Sequence, residues 1–406
     1  MFLNQNCFKM HEIAERLQRL SASQTLAMAQ KSRELKASGI DVINLCIGEP
    51  DFNTPDHIKE AAKKAIDDNF SFYSPVQGYD DLIQAVCAKL KRENNLNYKP
   101  ENICVSNGAK QCIANVILSL VNYDDEVIIP TPYWVSYIEL VKLARGINVL
   151  VEAGIDQDFK VTPEQIEKAI TPRTKLFLFS SPSNPTGAAY TKEELKAIAE
   201  VFARHEQVLI ISDEIYEHIN FNGAHESIAQ FDFIKDRVIL INGVSKGYAM
   251  TGWRIGYVAA PLWIIKALIK LQGQYTSGPS SIAQKASVAA LNTDYSLLKG
   301  MRDKFHERRD LVVKLMNEIP GLRCNVPDGA FYVFPEASHY FHKTNGTSMI
   351  KNDDDLAMYL LNKAHVAVMG GTAFGAPGYI RLSYATSEEN LIEAMKRIKS
   401  ALSLLR

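Results

Sequence analysis

No charge of one sign dominates this chain. Its 45 lysines and arginines meet 46 aspartates and glutamates, giving a formal net charge of -1. That balance argues against nucleic acid or an anionic membrane as the main partner. Long apolar runs are missing too: none reaches the roughly 18 residues a membrane span needs. The opening stretch, MFLNQNCFKMHEIAERLQRL, has no uninterrupted apolar segment followed by small residues, so no signal peptide is expected. The six cysteines (Cys7, Cys46, Cys87, Cys104, Cys112, Cys324) form no C-x-x-C pair and no framework spacing. Reduced, mostly buried thiols in a cytoplasmic protein are expected. Internal repeats and low-complexity segments are absent. What remains is a globular composition, 47% hydrophobic and 22% charged over 406 residues. A single core stops growing at roughly 250–300 residues, so the chain is long enough for two.

From Asn102 onward, short apolar runs alternate with helical stretches: ICVS, EVIIP, INVLV, KLFLFS, VLIIS, RVILIN and IGYVAA. Such runs predict an α/β fold with three layers, a mostly parallel seven-stranded sheet covered by helices on both faces. IGYVAA follows RVILIN by only about a dozen residues, too few for a helical crossover, so it is expected to run antiparallel. Helix starts are read at Thr54-Pro55, at the box Thr191…Glu194 and at the box Thr386…Glu389. Asn69 to Gly78 holds three aromatics without a sustained period and reads as a loop, used for packing or for contact with a ligand or partner. Beyond Gly278-Pro279 a long helical region reaches roughly Glu318, followed by GAFYVFP, VAVMGG and YIRLSYA with further helices. The expected division is a large domain over 51–299 and a smaller α+β domain from 1–50 with 300–406.

Four loops at the carboxyl ends of the predicted strands carry reactive groups, where α/β sheets place ligands. Lys246 lies in the glycine-flanked loop after RVILIN, suited to binding phosphate or, once desolvated, to forming a Schiff base. Gly108 and Ala109 open a helix after ICVS, which suits a phosphate but also serves as turn chemistry. Asn184, in S-N-P-T-G, is a turn residue or a donor to a ligand oxygen. Asp213 follows a fully apolar strand, so it must be solvated, paired or used; Tyr216 is three residues on. Arg254 enters a buried strand and needs an anion, either phosphate or a structural carboxylate. Together these groups supply what pyridoxal 5'-phosphate requires: an amine, a carboxylate for its ring nitrogen, donors to its phenolate oxygen and a phosphate cup.

The segment G-V-S-K-G-Y-A-M-T-G-W-R-I-G resembles, over its whole length, the pyridoxal-phosphate attachment motif of fold-type I class I/II aminotransferases. S-N-P-T-G, S-D-E-I-Y, P-Y-W-V-S-Y and Y-I-R-L-S-Y-A-T-S-E-E-N are similar to that family's other signatures, and the likeness runs from about Ser21 to the C-terminus. It is nearest to bacterial aspartate aminotransferases of the subgroup that includes prephenate-active members. The resemblance implies a homodimer with its active sites at the subunit interface, working on amino acids and 2-oxoacids. Lys246 would link covalently to the cofactor and Asp213 pair with its pyridine nitrogen. Asn184 and Tyr216 would bond its phenolate oxygen, and Trp134 would stack on the ring. Gly108, Ala109, Lys110, Ser245 and Arg254 would surround the phosphate, with the partner subunit's Tyr73 reaching it. Arg381 would clamp the substrate α-carboxylate, helped by the Gly48 backbone. From the residues alone, Trp134 reads equally as core and Arg381 as an outward edge-strand residue.

Animal-type relatives bind the distal carboxylate with an arginine near Gly273 to Ser281, but GQYTSGPSS contains none. In the bacterial subgroup a lysine at the phosphate-loop helix start does this work, and Lys110 stands there, where it also reads as an ordinary solvated lysine. Ser23 and Thr25 are further candidates for closing over a dicarboxylate. Aspartate aminotransferase is thus the expected activity. Aromatic or prephenate transamination and a same-fold carbon–sulfur lyase share every cofactor residue. A cofactor-binding transcription regulator would require a basic winged-helix module.

Overall fold

The computed structural model describes residues 13–22, 24–294, 296–347 and 349–406. All seven apolar runs form strands. After β1 (Ile43–Asn44) come β2 (Ile103–Ser106), β3 (Glu126–Thr131), β4 (Ile147–Glu152), β5 (Thr174–Ser180), β6 (Leu209–Asp213), β7 (Val238–Gly243) and β8 (Gly256–Ala259). The last seven make one sheet in the order β2-β8-β7-β6-β5-β3-β4. β3 to β7 pair in parallel, whereas β8 pairs antiparallel with both β7 and β2. The short β7–β8 connection therefore reverses direction as its length requires.

Every residue of β2, β3, β6, β7 and β8 is buried. Each Val, Leu or Ile placed there contributes about 1.5–3 kcal/mol by leaving water. One apolar layer lies on each face. Ile210, Leu240, Phe177 and Val105 pack on one side with Phe202 and Val86. Ile211, Ile239 and Ile129 pack on the other against Ile113 and Leu268. Because side chains alternate along each strand, adjacent residues of one strand serve different layers. The sheet is thereby rigid up to its carboxyl edge, where the polar groups begin.

The rest of the chain adds β9 (Tyr332–Val333), β10 (Val366–Ala367), β11 (Met369–Gly370) and β12 (Ile380–Ser383). β12 lies between β11 and β9, and β1 pairs in parallel with β10. Thus residues 41–48 join the C-terminal part of the chain through β1, of which only Ile43 and Asn44 are strand. Helices Ser296–Asn317, Asp353–Lys363 and Glu388–Leu402 cover these strands.

Two helix starts differ from the sequence reading. The helix Asp56–Asp67 is preceded by Pro55 as its N-cap, without a side-chain cap. Thr54 instead donates to the Ala249 carbonyl (2.7 Å) and accepts from Trp253 Nε1 (3.1 Å), contacts invisible in sequence. The last helix is capped by Ser387, which accepts from the Asn390 amide, rather than by a box at Thr386. The box at Thr191 and Glu194 forms as read. Ser387→Ala should therefore lower stability by about 1 kcal/mol, and Thr386→Ala by less than about 0.5 kcal/mol. Urea unfolding of both variants checks this, and the reverse order would restore the cap to Thr386.

Candidate active site

The carboxyl ends of the strands open into a cavity of about 550 Å³. Asp213 is the last residue of β6, in register with Ser180 of β5 and Ile241 of β7. Full burial of β6 and β7 fixes where its carboxylate stands. The turn that follows carries Tyr216, and the loop after β7 carries Ser245 and Lys246. Gly108 is the N-cap of helix Ala109–Leu120, with φ +82. A Cβ there would run into the Arg254 guanidinium, so only glycine lets that side chain lie across the helix start. Arg254 also has positive φ, +60, a strain of about 1–3 kcal/mol of the kind that collects at functional sites.

Lys246, Asp213, Tyr216, Ala109, Lys110, Trp134, Asn184, Ser245, Arg254, Gly48 and Arg381 all line this one cavity. Gly108 adjoins it through Arg254. Tyr73 does not: it is 98% exposed, in the loop beside Gly278 and Pro279. Ser23 lies outside the described residues, as does the side chain of Thr25.

Asp213 is buried, and loss of water raises its pKa to about 6 against the hydrogen bond that Tyr137 Oη donates to it at 2.6 Å. Lys246 donates to the Gly48 carbonyl at 2.7 Å. Desolvation brings its pKa down to about 8; Glu49 opposes this, while Arg254 and Arg381 reinforce it. A lysine so lowered becomes largely a free amine above pH about 8, far below the usual lysine range, which gives access to the state a nucleophile or base needs. The Tyr216 hydroxyl meets that of Tyr332 at 2.8 Å, and burial raises its pKa well above the usual value.

Arg381 is 3% exposed and lies between the rings of Tyr332 (4.7 Å) and Phe374 (4.9 Å). It donates to Asn184 Oδ1 (3.0 Å) and to the Cys46 carbonyl (2.5 Å), while its buried Nε has no partner. It is an inward group of β12, not an outward one. Arg254 donates to the carbonyls of Thr251 (2.9 Å) and Asn107 (3.1 Å). Lys110 stands 5.0 Å above the Trp134 ring, and desolvation and Arg254 lower its pKa. Among the described residues none of these four cations forms a salt bridge. Carbonyls and rings hold them, leaving their charge for an anionic ligand.

The donor set fits a ring with a phosphate. A desolvated amine and a buried carboxylate share one cavity, Arg254 lies across a helix N-terminus, and Arg381, with an unpaired nitrogen, lines the same cavity. A family model, aminotransferase class I and II, matches residues 40–398. The chain belongs to that family. Among similar proteins, the aspartate/prephenate aminotransferase of Cereibacter sphaeroides is 49% identical, over 96% of this chain and 98% of that protein. The crystal structure of the aspartate aminotransferase from Rhizobium meliloti superposes with a TM-score of 0.94 at 44% identity, covering 98% of this chain and all of that one. The Thermus thermophilus aspartate aminotransferase solved with maleate superposes at 0.91 and 40%, covering 97% of this aminotransferase and all of that chain. The fold is theirs.

Sequence reasoning missed Tyr137, Tyr332, Glu49, Ser180 and Thr251, all of which line the cavity of this aminotransferase. Tyr137 ends the quoted P-Y-W-V-S-Y, three residues after Trp134, and its edge-on contact with that ring at 5.5 Å follows from the turn. Tyr332 carried no signal, since its run GAFYVFP reads as plain core.

The Asp213 value has a signed consequence for the cofactor-free protein. Below pH about 4 folded and unfolded chains both hold its proton; between about 4 and 6 only the folded chain does, so stability falls as pH rises through that window. Tyr137→Phe removes a donor to the carboxylate and should move the Asp213 titration, read by carbon NMR, above about 6. A titration unchanged or moved downward would show that the Tyr137 bond does not act on Asp213.

Proposed function

We propose that this chain is an aspartate aminotransferase that passes an amino group between aspartate and 2-oxoglutarate in alternating half-reactions. The observation that carries the reading is the set of four cations (Lys110, Lys246, Arg254, Arg381) facing, among the described residues, only the carboxylates of Glu49 and Asp213 in one cavity. Such a surplus suits a cofactor phosphate together with a dicarboxylate. The names of the relatives support the substrate, as does the maleate with which the Thermus thermophilus relative was solved.

Bound pyridoxal 5'-phosphate supplies an electron-withdrawing ring that stabilises negative charge at the substrate α-carbon. Lys246 would hold the cofactor covalently, and its Nζ, once free, would move the α-proton. Asp213 would keep the proton on the ring nitrogen, with Tyr137 holding its carboxylate in place. Tyr216 and Asn184 would donate towards the phenolate oxygen, and Trp134 would cover one ring face. Gly108, Ala109, Lys110, Ser245, Arg254 and the partner subunit's Tyr73 would surround the phosphate. Arg381 would grip the α-carboxylate beside Gly48, its planar donors matching a carboxylate in pairs. Lys110 would read the distal carboxylate, since residues 273–281 offer no arginine. A closing motion of 1–50 and 300–406 over 51–299 would exclude water from this site. The relative named for prephenate favours a second acceptor, and a coupled assay with both oxoacids separates the two.

Lys246→Ala is expected to lose the visible absorbance of the lysine-linked cofactor and all measurable turnover; a fully active variant would overturn the assignment. Lys110→Ala should lower kcat/KM for aspartate about tenfold or more while leaving alanine nearly unaffected. Equal losses for both amino acids would remove Lys110 from substrate recognition.

A further inference from the structure

Behind the cavity lies a second set of charges that the proposed chemistry does not use. The turn after β6 is two-faced: Asp213, Ile215 and Tyr216 line the cavity, whereas Glu214, Glu217 and His218 do not. Glu217 is buried against Lys89, which is 0% exposed on helix Asp80–Asn94 and forms a close ion pair with it. Asn94 bonds both partners, accepting from Lys89 Nζ (2.9 Å) and donating to Glu217 (2.9 Å). Glu93 lies 3.6 Å from Lys89 Nζ and 2.8 Å from His218 Nε2. Despite burial, Lys89 and His218 hold the Glu217 carboxyl well below the usual range. Glu214 has its own partners, the hydroxyls of Ser212 (2.8 Å) and Ser227 (2.6 Å) and the ring of His225 (3.0 Å).

The network reaches the amine loop through His218. The His218 ring sits edge-on to Tyr248, 5.2 Å between centroids, and a Cβ built on Gly247 would run into His218 Nδ1. Gly247 has no left-handed φ, so it is the histidine that demands glycine there. Gly247 is the residue after Lys246. The same turn thus sets Asp213 and Tyr216 on one side and, through His218, the backbone of Lys246 on the other.

We propose that Lys89, Glu93, Glu217 and His218 are positioning residues for Lys246, seating His218 against Gly247 so that the amine is held at the Gly48 carbonyl inside the cavity. The Lys89–Glu217 pair anchors the turn to helix Asp80–Asn94, and Glu93 orients the imidazole. A buried ion pair contributes little net stability, so its value here lies in specifying one arrangement. This rests on the function proposed above only in naming Lys246 as the reactive amine.

The test reads Lys246 in the cofactor-free, full-length protein, by carbon-13 reductive methylation and NMR titration, with Lys246→Ala identifying the signal. His218→Ala and Glu217→Gln are expected to move the Lys246 midpoint from about 8 towards the ordinary 10.5. In the loaded enzyme kcat should fall about 10- to 100-fold with KM changing less than about twofold. His218→Gln, which keeps a donor to Glu93, should retain most of the activity. Gly247→Ala should shift the midpoint similarly, and Gly247→Ala combined with His218→Ala should cost less than the two shifts added. If a network variant does not fold, the Gly247 pair still decides. A Lys246 midpoint unchanged in the folded variants, with activity tracking only the folded fraction, would reduce the network to a structural role and overturn the proposal. Failure of the unaltered chain to take up cofactor would instead overturn the proposed function, leaving this titration readable.

Discussion

The structure depends on holding one amine and one carboxylate in a cavity where neither is comfortable. Desolvation lowers Lys246 to about 8 and raises Asp213 to about 6, so each moves towards its neutral form. In water the ordinary values, 10.5 and 3.8, would leave both fully charged near neutrality. Only a rigid frame can keep such groups from turning out to solvent. The five fully buried strands provide it, because their ends cannot shift without breaking apolar contacts on both faces of the sheet.

Charge is balanced over the chain and unbalanced locally. The net of -1 conceals a cavity with four cations and two carboxylates. What preserves that imbalance is the choice of acceptors. Lys246, Arg381 and Arg254 donate to the carbonyls of Gly48, Cys46, Asn107 and Thr251, and Arg381 also to the Asn184 amide oxygen. A neutral oxygen fixes a cation's direction without cancelling its charge. Replacing any of these by a carboxylate would make a stronger pair and a poorer anion site.

Much of this was legible in order along the chain. Continuous apolar runs exposed the strands, and of the residues read just beyond them Asn184, Asp213 and Lys246 line one cavity, with Gly108 beside it against Arg254. Groups defined by distant contacts were hidden. Tyr332 reaches Tyr216 from 116 residues away, and nothing in GAFYVFP marks that tyrosine as different from its apolar neighbours. Arg381 read equally as an edge residue because sequence does not say that Phe374 and Tyr332 enclose it. Cap positions failed by a single residue, at Thr54 and Thr386, for a similar reason: the neighbouring hydroxyl or proline served as well locally, and tertiary bonds to Ala249 and Trp253 decided the first.

The two charge systems either side of the Asp213–Tyr216 turn follow opposite rules. The network behind it pairs Lys89 with Glu217 and Glu93, and Glu214 with His225, so its charges are consumed internally. Among the described residues, the cations of the cavity in front form no salt bridge, although Glu49 and Asp213 share the cavity with them. A buried charge that is fully paired resists movement, because separating the ions exposes both to the cost of desolvation. One held only by carbonyls can exchange partners when an anion arrives. Placing the immobile set directly behind the exchangeable one lets a ligand change the partners of Lys246 and Arg381 while the turn that aims Asp213 and Tyr216 stays where the strands put it.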